Sequence, residues 1–221
     1  TLDLCERIVG EHSSSVLIAE AFAALPEERR QRHVPRIIEV LRNEASQDAI
    51  GIAAAALRQV RSDAVGAAAQ QLAESGKFNV RLAAIAILAA DFPHLLLPHA
   101  AAWSSRRNPL SIRLRVIEGY AAQRPPGLAT FLERLVLANE RVVVKMTALR
   151  LLAEHAPDAL PDVLVKMWPG ERTTVIRRIA MEMLFQVDRE RATQFILSHG
   201  LPSSRAGVRV DACAILAAEP S

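Results

Sequence analysis

An apolar motif that recurs every 32 residues constrains this chain more than any other feature. A valine or isoleucine, which we call the anchor, is followed directly by a basic residue. Alanine or valine stands four positions after the anchor, and a large apolar residue stands eight positions after it. Five copies are Val80-Arg81, Ala84, Leu88; Ile112-Arg113, Val116, Tyr120; Val144-Lys145, Ala148, Leu152; Ile176-Arg177, Ala180, Leu184; and Val208-Arg209, Ala212, Leu216. Two weaker copies, Leu17, Ala21, Leu25 and Ala49, Ala53, Leu57, precede them.

Each copy is predicted to lie on the second helix of a helix pair, because residues four and eight positions apart share one helical stripe. A separate apolar stripe upstream, such as Leu128, Phe131 and Leu135, predicts the first helix of the pair. Pro93, Pro125 and Pro157 repeat at the starts of first helices, where proline loses no hydrogen bond. The sequence therefore predicts about fourteen helices in seven pairs, at about 2–25, 33–60, 63–90, 93–122, 126–155, 158–187 and 189–218, and no strands.

Neither helix of a pair can bury its stripe alone, so successive pairs must stack to form a core. We therefore predict an all-α fold, an α-solenoid that spans residues 1–221 as a single domain. The Val/Ile-Arg-x-x-Ala-x-x-x-Leu opening of the second helix resembles the HEAT-like repeat family, in the short bacterial form of phycobilisome-lyase-type repeats. The resemblance covers nearly the whole chain and implies that the second helices line a concave surface. It does not imply one function, because such repeats serve as scaffolds, adaptors, lyases and a few DNA-repair enzymes.

The basic residue after each anchor, at positions 81, 113, 145, 177 and 209, is called the repeated base here. It lies about 100° around the helix from the anchor, on the flank that faces the neighbouring pair. We expect these bases to donate hydrogen bonds to adjacent loop carbonyls rather than to bind nucleic acid. The resembling family often pairs this base with an aspartate, and here Asn79, Asn108 and Asn139 stand irregularly in that place.

The composition predicts a chain that folds without disulfides or metals. Its 221 residues, 51% of them hydrophobic, suffice for one domain or two small ones. Cys5 and Cys213 lie in apolar helical surroundings, so we interpret both as small buried hydrophobes in a reducing compartment. No apolar run is long and uncharged enough to cross a bilayer. We therefore expect a cytoplasmic protein.

Two groups of residues are candidates for binding. Arg106, Arg107 and Arg115 have no counterparts in the other copies, so they predict either a site for an anion or an acidic partner, or a solvated loop. The far side of the second helices is also apolar, which predicts a partner-binding face unless close curvature buries it. This predicted apolar face consists of Leu82, Ile85, Leu114, Ile117, Met146, Leu149, Met181 and Phe185.

The sequence gives no support for catalysis, a metal or a cofactor. A HEAT-type di-iron hydroxylase would need repeated His-Glu dyads, and no histidine here is followed by glutamate. HEAT-like DNA glycosylases hold a damaged nucleotide with aromatic residues and a carboxylate, whereas Trp103 and Trp168 fall near the ends of first helices in core phase. We therefore expect a protein that is not an enzyme.

Two functions remain open, with a minor third. The first is a protein-interaction scaffold that binds a segment of a partner protein, or another domain of a longer parent chain, along the apolar face. The alternative is a nucleic-acid-binding solenoid that uses the basic middle of the chain, residues 101–150, with a glycosylase-like role in DNA repair as one form of it. A lyase-like role on a tetrapyrrole-bearing protein is implied only by the resemblance.

The last predicted helix has scarcely a polar side beyond Arg209 and Asp211. Solenoids need terminal units with a polar outer face. We therefore expect this helix to be followed by more chain in a longer protein or to pack against a partner copy.

Overall fold

The structure is a computed structural model that describes residues 2–43 and 46–217, and within these ranges every regular element is helical. The predicted all-α class is confirmed for these residues. The chain forms two compact units, divided between Gln123 and Arg124. Across the same two ranges, no helix combines the length and the apolar character that a bilayer span requires.

The first unit consists of helix pairs that pack in sequence order. Its helices are α1 (Leu2–Glu11), α2 (Ser15–Ala24), α3 (Glu27–Asn43), α4 (Gln47–Leu57), α5 (Asp63–Ser75), α6 (Phe78–Asp91), α7 (Pro93–Leu96), α8 (Ala100–Trp103) and α9 (Leu110–Ala122). A 3₁₀ turn, Leu97–His99, joins α7 to α8. The first helices α1, α3, α5 and α7 contact one another in that order, and so do the second helices α2, α4, α6 and α9.

The second unit repeats this arrangement. Its helices are α10 (Leu128–Leu137), α11 (Val142–His155), α12 (Leu160–Met167), α13 (Thr174–Val187), α14 (Arg189–Phe195) and α15 (Ala206–Ala217). A 3₁₀ turn, Pro157–Ala159, precedes α12, and a π-helical turn, Ile196–Gly200, continues α14. The first helices α10 and α12 are in contact, and α13 lies between α11 and α15.

When each continuous helical segment is counted once, the described ranges contain fourteen helices that pack as neighbouring pairs, as predicted. One boundary differs clearly, because α3 begins at Glu27 rather than near residue 33. Glu27 and Glu28 in its first turn interact favourably with the helix dipole. Pro35 lies inside α3 and removes a backbone hydrogen bond without ending the helix.

The predicted stripe of the second helices forms the core. The buried members are Ala49, Ala53, Leu57, Val80, Ala84, Leu88, Ile112, Val116, Val144, Ala148, Leu152, Ile176, Ala180, Leu184, Val208 and Ala212. Tyr120 and Leu216 are half-buried. Small residues let neighbouring second helices approach closely. A methyl group added at Gly119 on α9 would lie 2.6 Å from the Cβ of Ala89 on α6.

Two predictions about the core are wrong. Leu17 is 43% exposed, because its neighbour Ile18 faces the core instead. The other two members of this predicted copy, Ala21 and Leu25, are buried. Cys213 is exposed and Cys5 is half-buried, although both were expected in the core. Cys213 stands five positions after its anchor, a position that is buried in α6, α9, α11 and α13 but not in α15.

Candidate functional site

The repeated arginines donate hydrogen bonds to carbonyls of the loops between helices, as predicted. In the first unit, Arg81 Nε donates to the carbonyl oxygen of Ala73 at 2.9 Å, and its NH2 donates to Asn108 Oδ1 at 2.8 Å. Arg113 Nε donates to the Ser104 carbonyl at 2.7 Å, and this arginine is only 3% exposed. These guanidinium groups satisfy carbonyls at the ends of first helices.

The second unit uses its repeated bases similarly. Arg177 donates to the Glu171 and Trp168 carbonyls at 2.8 and 3.1 Å, and its guanidinium lies 4.7 Å from the centre of the Trp168 ring. Arg209 NH1 donates to the Ser203 carbonyl at 2.8 Å. Arg81, Arg113, Arg177 and Arg209 therefore have a structural role that accounts for their recurrence.

Lys145, the one lysine among the repeated bases, forms a buried ion pair. Its Nζ lies 2.6 Å from Glu171 Oε2, and the two side chains are 12% and 4% exposed. Glu171 Oε1 also accepts a hydrogen bond from the backbone N–H of Thr173 at 2.7 Å. Burial alone would raise the pKa of Glu171, but the hydrogen bonds from Lys145 and Thr173 outweigh it and hold this pKa below its usual value.

This ion pair lies in a polar cleft of about 450 Å³ between the ends of α10 and α12 and the starts of α11 and α13. Lys166 and Arg172 also line the cleft. Lys166 Nζ lies 2.7 Å from Glu133 Oε1, and the hydrogen bond from Lys166 to this carboxylate raises the pKa of the lysine. Lys145 and Lys166 in the cleft are thus each paired with a carboxylate.

Half of the predicted apolar face is buried, and for those residues the prediction of an exposed surface is wrong. Ile85, Ile117, Leu149 and Met181 are each 0% exposed. They stand five positions after their anchors, which places them about 140° around the helix axis. We had grouped them with residues on the far side. Each second helix packs on its own first helix and also on neighbouring second helices, so the buried arc is wide enough to include this position.

The other four members of that face keep some exposure. Leu82, Leu114 and Phe185 are half-buried, and Met146 is 37% exposed. Met146 stands two positions after its anchor, about 200° around the helix axis and outside the buried arc.

The second unit exposes further apolar residues at the N-terminal ends of its second helices. We call Val142, Val143 and Met146 on α11, Val175 on α13 and Val210 on α15 the valine strip. Their exposed fractions are 40%, 39%, 37%, 47% and 67%. The valines of α11 and α13 were missed because we searched only positions after the anchor, whereas Val210 stands two positions after its anchor on the last helix, whose apolar outer side was predicted. Val142, Val143 and Val175 stand one or two positions before an anchor.

Charged pairs follow the valine strip along two of its helices. Arg150 lies 3.4 Å from Glu154 on α11, and Arg178 lies 3.6 Å from Glu182 on α13. All four of these side chains are about half exposed or more. The outer face of α11 and α13 is therefore apolar at one end and charged at the other.

Arg106, Arg107 and Arg115 are all exposed on the first unit. Arg106 and Arg107 lie in the loop between α8 and α9, and Arg115 lies on α9. This loop is held by Asn108, which accepts from Arg81 and donates Nδ2 to the Ala102 carbonyl at 3.2 Å.

Both tryptophans lie in the core. Trp103 is 7% exposed and stacks on the His99 ring at 4.7 Å between ring centres. Trp168 is 5% exposed and packs edge-on against Phe195 at 4.9 Å. Little ring surface of either tryptophan is left for stacking on a base.

Comparison with protein-family models gives no match, and comparison with curated proteins gives none either. Among the residues that the structure describes, no three histidine, cysteine or acidic side chains are grouped closely enough to hold a metal ion.

Proposed function

We propose that this chain is a HEAT-like α-solenoid with a period of 32 residues, and that it acts as a non-catalytic scaffold for protein binding. Three observations support the architecture: the recurring anchors are buried, the second helices within each unit pack in order, and the repeated bases fasten successive loops. Nearest-neighbour packing of this kind is what repeat proteins use to build extended binding surfaces.

The valine strip carries the proposed binding function. Apolar residues scattered singly on a surface need no explanation, but here exposed apolar residues occur at the same end of three successive second helices. The Arg150–Glu154 and Arg178–Glu182 pairs beyond them offer charges of both signs. This combination suits an amphipathic helical segment of a partner protein, or of another domain of a longer chain, with its apolar residues on the valine strip.

Selection of helical peptides displayed on phage against the full chain would test this proposal. We expect the selected peptides to be amphipathic. They should bind Val175→Asp and Met146→Asp at least tenfold more weakly than the wild type, because a few central residues supply most of the binding energy of an interface and these variants place a charge there. Leu197→Asp is the matched control, since Leu197 is 52% exposed and lies outside the strip. Circular dichroism would verify that all three variants fold. The proposal would be contradicted if the peptides bound the strip variants as tightly as the wild type, or if Leu197→Asp weakened their binding equally.

A second candidate function, binding of nucleic acid, is favoured by the exposure of Arg106, Arg107 and Arg115. Three phosphate contacts would reduce affinity about fortyfold between about 50 and about 200 mM salt. Apolar peptide binding should change little over this range. Replacing all three arginines with serine should abolish DNA binding, and equal DNA binding by this variant would remove the candidate function.

We also place the protein in a reducing compartment, the cytoplasm. The support is that Cys5 and Cys213 are both free thiols and lie in different units.

A further inference from the structure

Each second helix packs on its neighbours with two opposite sides. A methyl group added at Gly119, seven positions after the anchor of α9, would overlap Ala89, nine positions after the anchor of α6. Position seven lies about 20° from the anchor around the helix axis, whereas positions five and nine lie about 140° and about 180° from it. A second helix therefore meets the preceding second helix on its anchor and position seven, and it meets the following one on positions five and nine.

The side that meets the preceding second helix is buried on α4 but exposed on α2. On α4 it consists of Ala49 and Ala56, which are 0% and 1% exposed, because α2 packs against α4. The same two positions on α2 are Leu17, which is 43% exposed, and Ala24, which is also exposed. No second helix precedes α2 in the part of the chain that the structure describes. We call Leu17 and Ala24 the α2 end face.

The side that meets the following second helix is buried on α11 and α13 but exposed on α15. Position five is Leu149 on α11 and Met181 on α13, and each is 0% exposed, because α11 packs on α13 and α13 packs on α15. On α15, position five is Cys213 and position nine is Ala217, and both are exposed. Within residues 2–43 and 46–217, no second helix follows α15. We call Cys213 and Ala217 the α15 end face.

The two end faces are the two halves of a contact that the chain makes repeatedly. In the first unit α2 packs on α4, α4 on α6 and α6 on α9, and in the second unit α13 packs on both α11 and α15. Ala24 occupies the position of Gly119, and Ala217 occupies the position of Ala89, so both end faces keep small residues where two second helices approach closely. None of the four end-face residues is acidic or basic. Bringing the two faces together therefore removes apolar surface from water without burying a charge at these positions.

We propose that copies of this chain associate head to tail, with the α15 end face of one copy on the α2 end face of the next copy. The occupant of each end face is then the surface that covers the equivalent positions inside the chain. Such a contact is heterologous, because the two copies contribute different surfaces, so it builds open chains or rings and not only dimers. None of the end-face residues belongs to the valine strip, and the proposal does not depend on the scaffold function.

Sedimentation velocity of the full chain in a reducing buffer, which prevents a disulfide at Cys213, would test this contact. Because one helix against another buries less surface than a standard interface, we expect weak association that becomes visible above about 100 µM. Leu17→Glu and Cys213→Glu should each weaken association at least tenfold, because each places a carboxylate in the contact. Val165→Glu is the matched control. Val165 is 42% exposed on the first helix α12, away from both end faces, so this variant should associate as the wild type does.

Mixing the two variants decides which surfaces meet. Leu17→Glu keeps an intact α15 end face and Cys213→Glu keeps an intact α2 end face, so an equimolar mixture should form dimers that grow no further. If circular dichroism shows that either variant is unfolded, Ala24→Glu and Ala217→Glu replace the pair.

Three results would overturn the proposal. The first is a wild type that stays monomeric at about 1 mM, where a contact with a millimolar dissociation constant is half formed. This result would leave a further repeat of a longer parent chain as the occupant of the α15 end face. The second is association of either variant alone as strong as that of the wild type, which a symmetric contact of α15 with α15 predicts for Leu17→Glu. The third is a mixture that stays monomeric or grows beyond dimers.

Discussion

Replacing Glu171 with glutamine removes the negative partner of a buried ion pair and leaves the Lys145 ammonium group without its counter-ion. At 2.6 Å the attraction between the two charges is about 6 kcal/mol at an effective dielectric constant of about 20. The loss of hydration of both groups cancels much of this gain in the intact pair, so the pair itself contributes little net stability. Removing one charge is different, because the remaining buried charge keeps its desolvation cost. We therefore expect Glu171→Gln to reduce the free energy of unfolding by about 3–5 kcal/mol.

A double-mutant cycle isolates the interaction. Lys145→Met alone should cost a similar amount, because it leaves Glu171 buried and unpaired by the lysine. The double variant Lys145→Met with Glu171→Gln should be more stable than the sum of the two losses predicts, by at least about 2 kcal/mol. Urea unfolding followed by tryptophan fluorescence measures these values, and a Trp103→Phe background leaves Trp168, in the second unit, as the reporter. The reasoning is refuted if Glu171→Gln costs less than about 1 kcal/mol or if the two losses add.

The same pair sets an acid dependence whose sign follows from the pKa. The pKa of Glu171 is lower in the folded protein than in the unfolded chain. Its contribution to stability is complete above the unfolded pKa, about 4.3, and is lost as the pH falls through the folded pKa. The difference in unfolding free energy between the wild type and Glu171→Gln should therefore be constant near neutral pH and shrink below about pH 4. A difference that does not change with pH would show that the carboxylate charge is irrelevant.

Four further substitutions test the packing by urea or thermal unfolding. Leu152→Ala should cost about 2–5 kcal/mol, because Leu152 is 0% exposed, and a negligible loss would show that the anchor register is wrong. Leu149→Ser should also cost several kcal/mol, whereas an exposed position would tolerate the change within about 0.5 kcal/mol. Gly119→Ala should be destabilising by about 1–3 kcal/mol, because its methyl group would overlap Ala89. Gly51→Ala has open space at its Cβ and should be stabilising by about 0.5–1 kcal/mol. Equal effects of the two substitutions would contradict the close approach of α6 and α9.

The period of the sequence predicted the helical class, the pairing and most of the core, because a stripe such as Val144, Ala148 and Leu152 has only one way to be buried. It also predicted that the repeated bases bind loop carbonyls, although the carbonyls that the arginines bind lie just before their own second helix and not on a neighbouring pair. The register failed where the pattern was weak. In α2, Ile18 and not Leu17 faces the core, because three neighbouring apolar residues give several equally plausible stripes.

The candidate binding face could not be predicted from one helix at a time. Whether Ile85 or Leu149 is exposed depends on how closely the next second helix approaches, and small residues such as Gly119 and Ala89 set that distance. The ion pair of Lys145 with Glu171 was missed for a similar reason. Its two members are 26 residues apart, on elements that meet only when the pairs stack.

Because this protein has only three lysines, chemical modification of their amines can report local opening of the structure. Its lysines are Lys77, Lys145 and Lys166. An amine-reactive reagent should modify Lys166 faster than Lys145, because the Lys166 side chain is 58% exposed even though it is paired with Glu133, whereas Lys145 must first leave the buried pair with Glu171. A change in the ratio of the two modification rates, read by mass spectrometry from one sample, therefore reports a change in the opening of the cleft of the second unit. Lys77, which is exposed on the first unit, provides a second reference rate in the same digest.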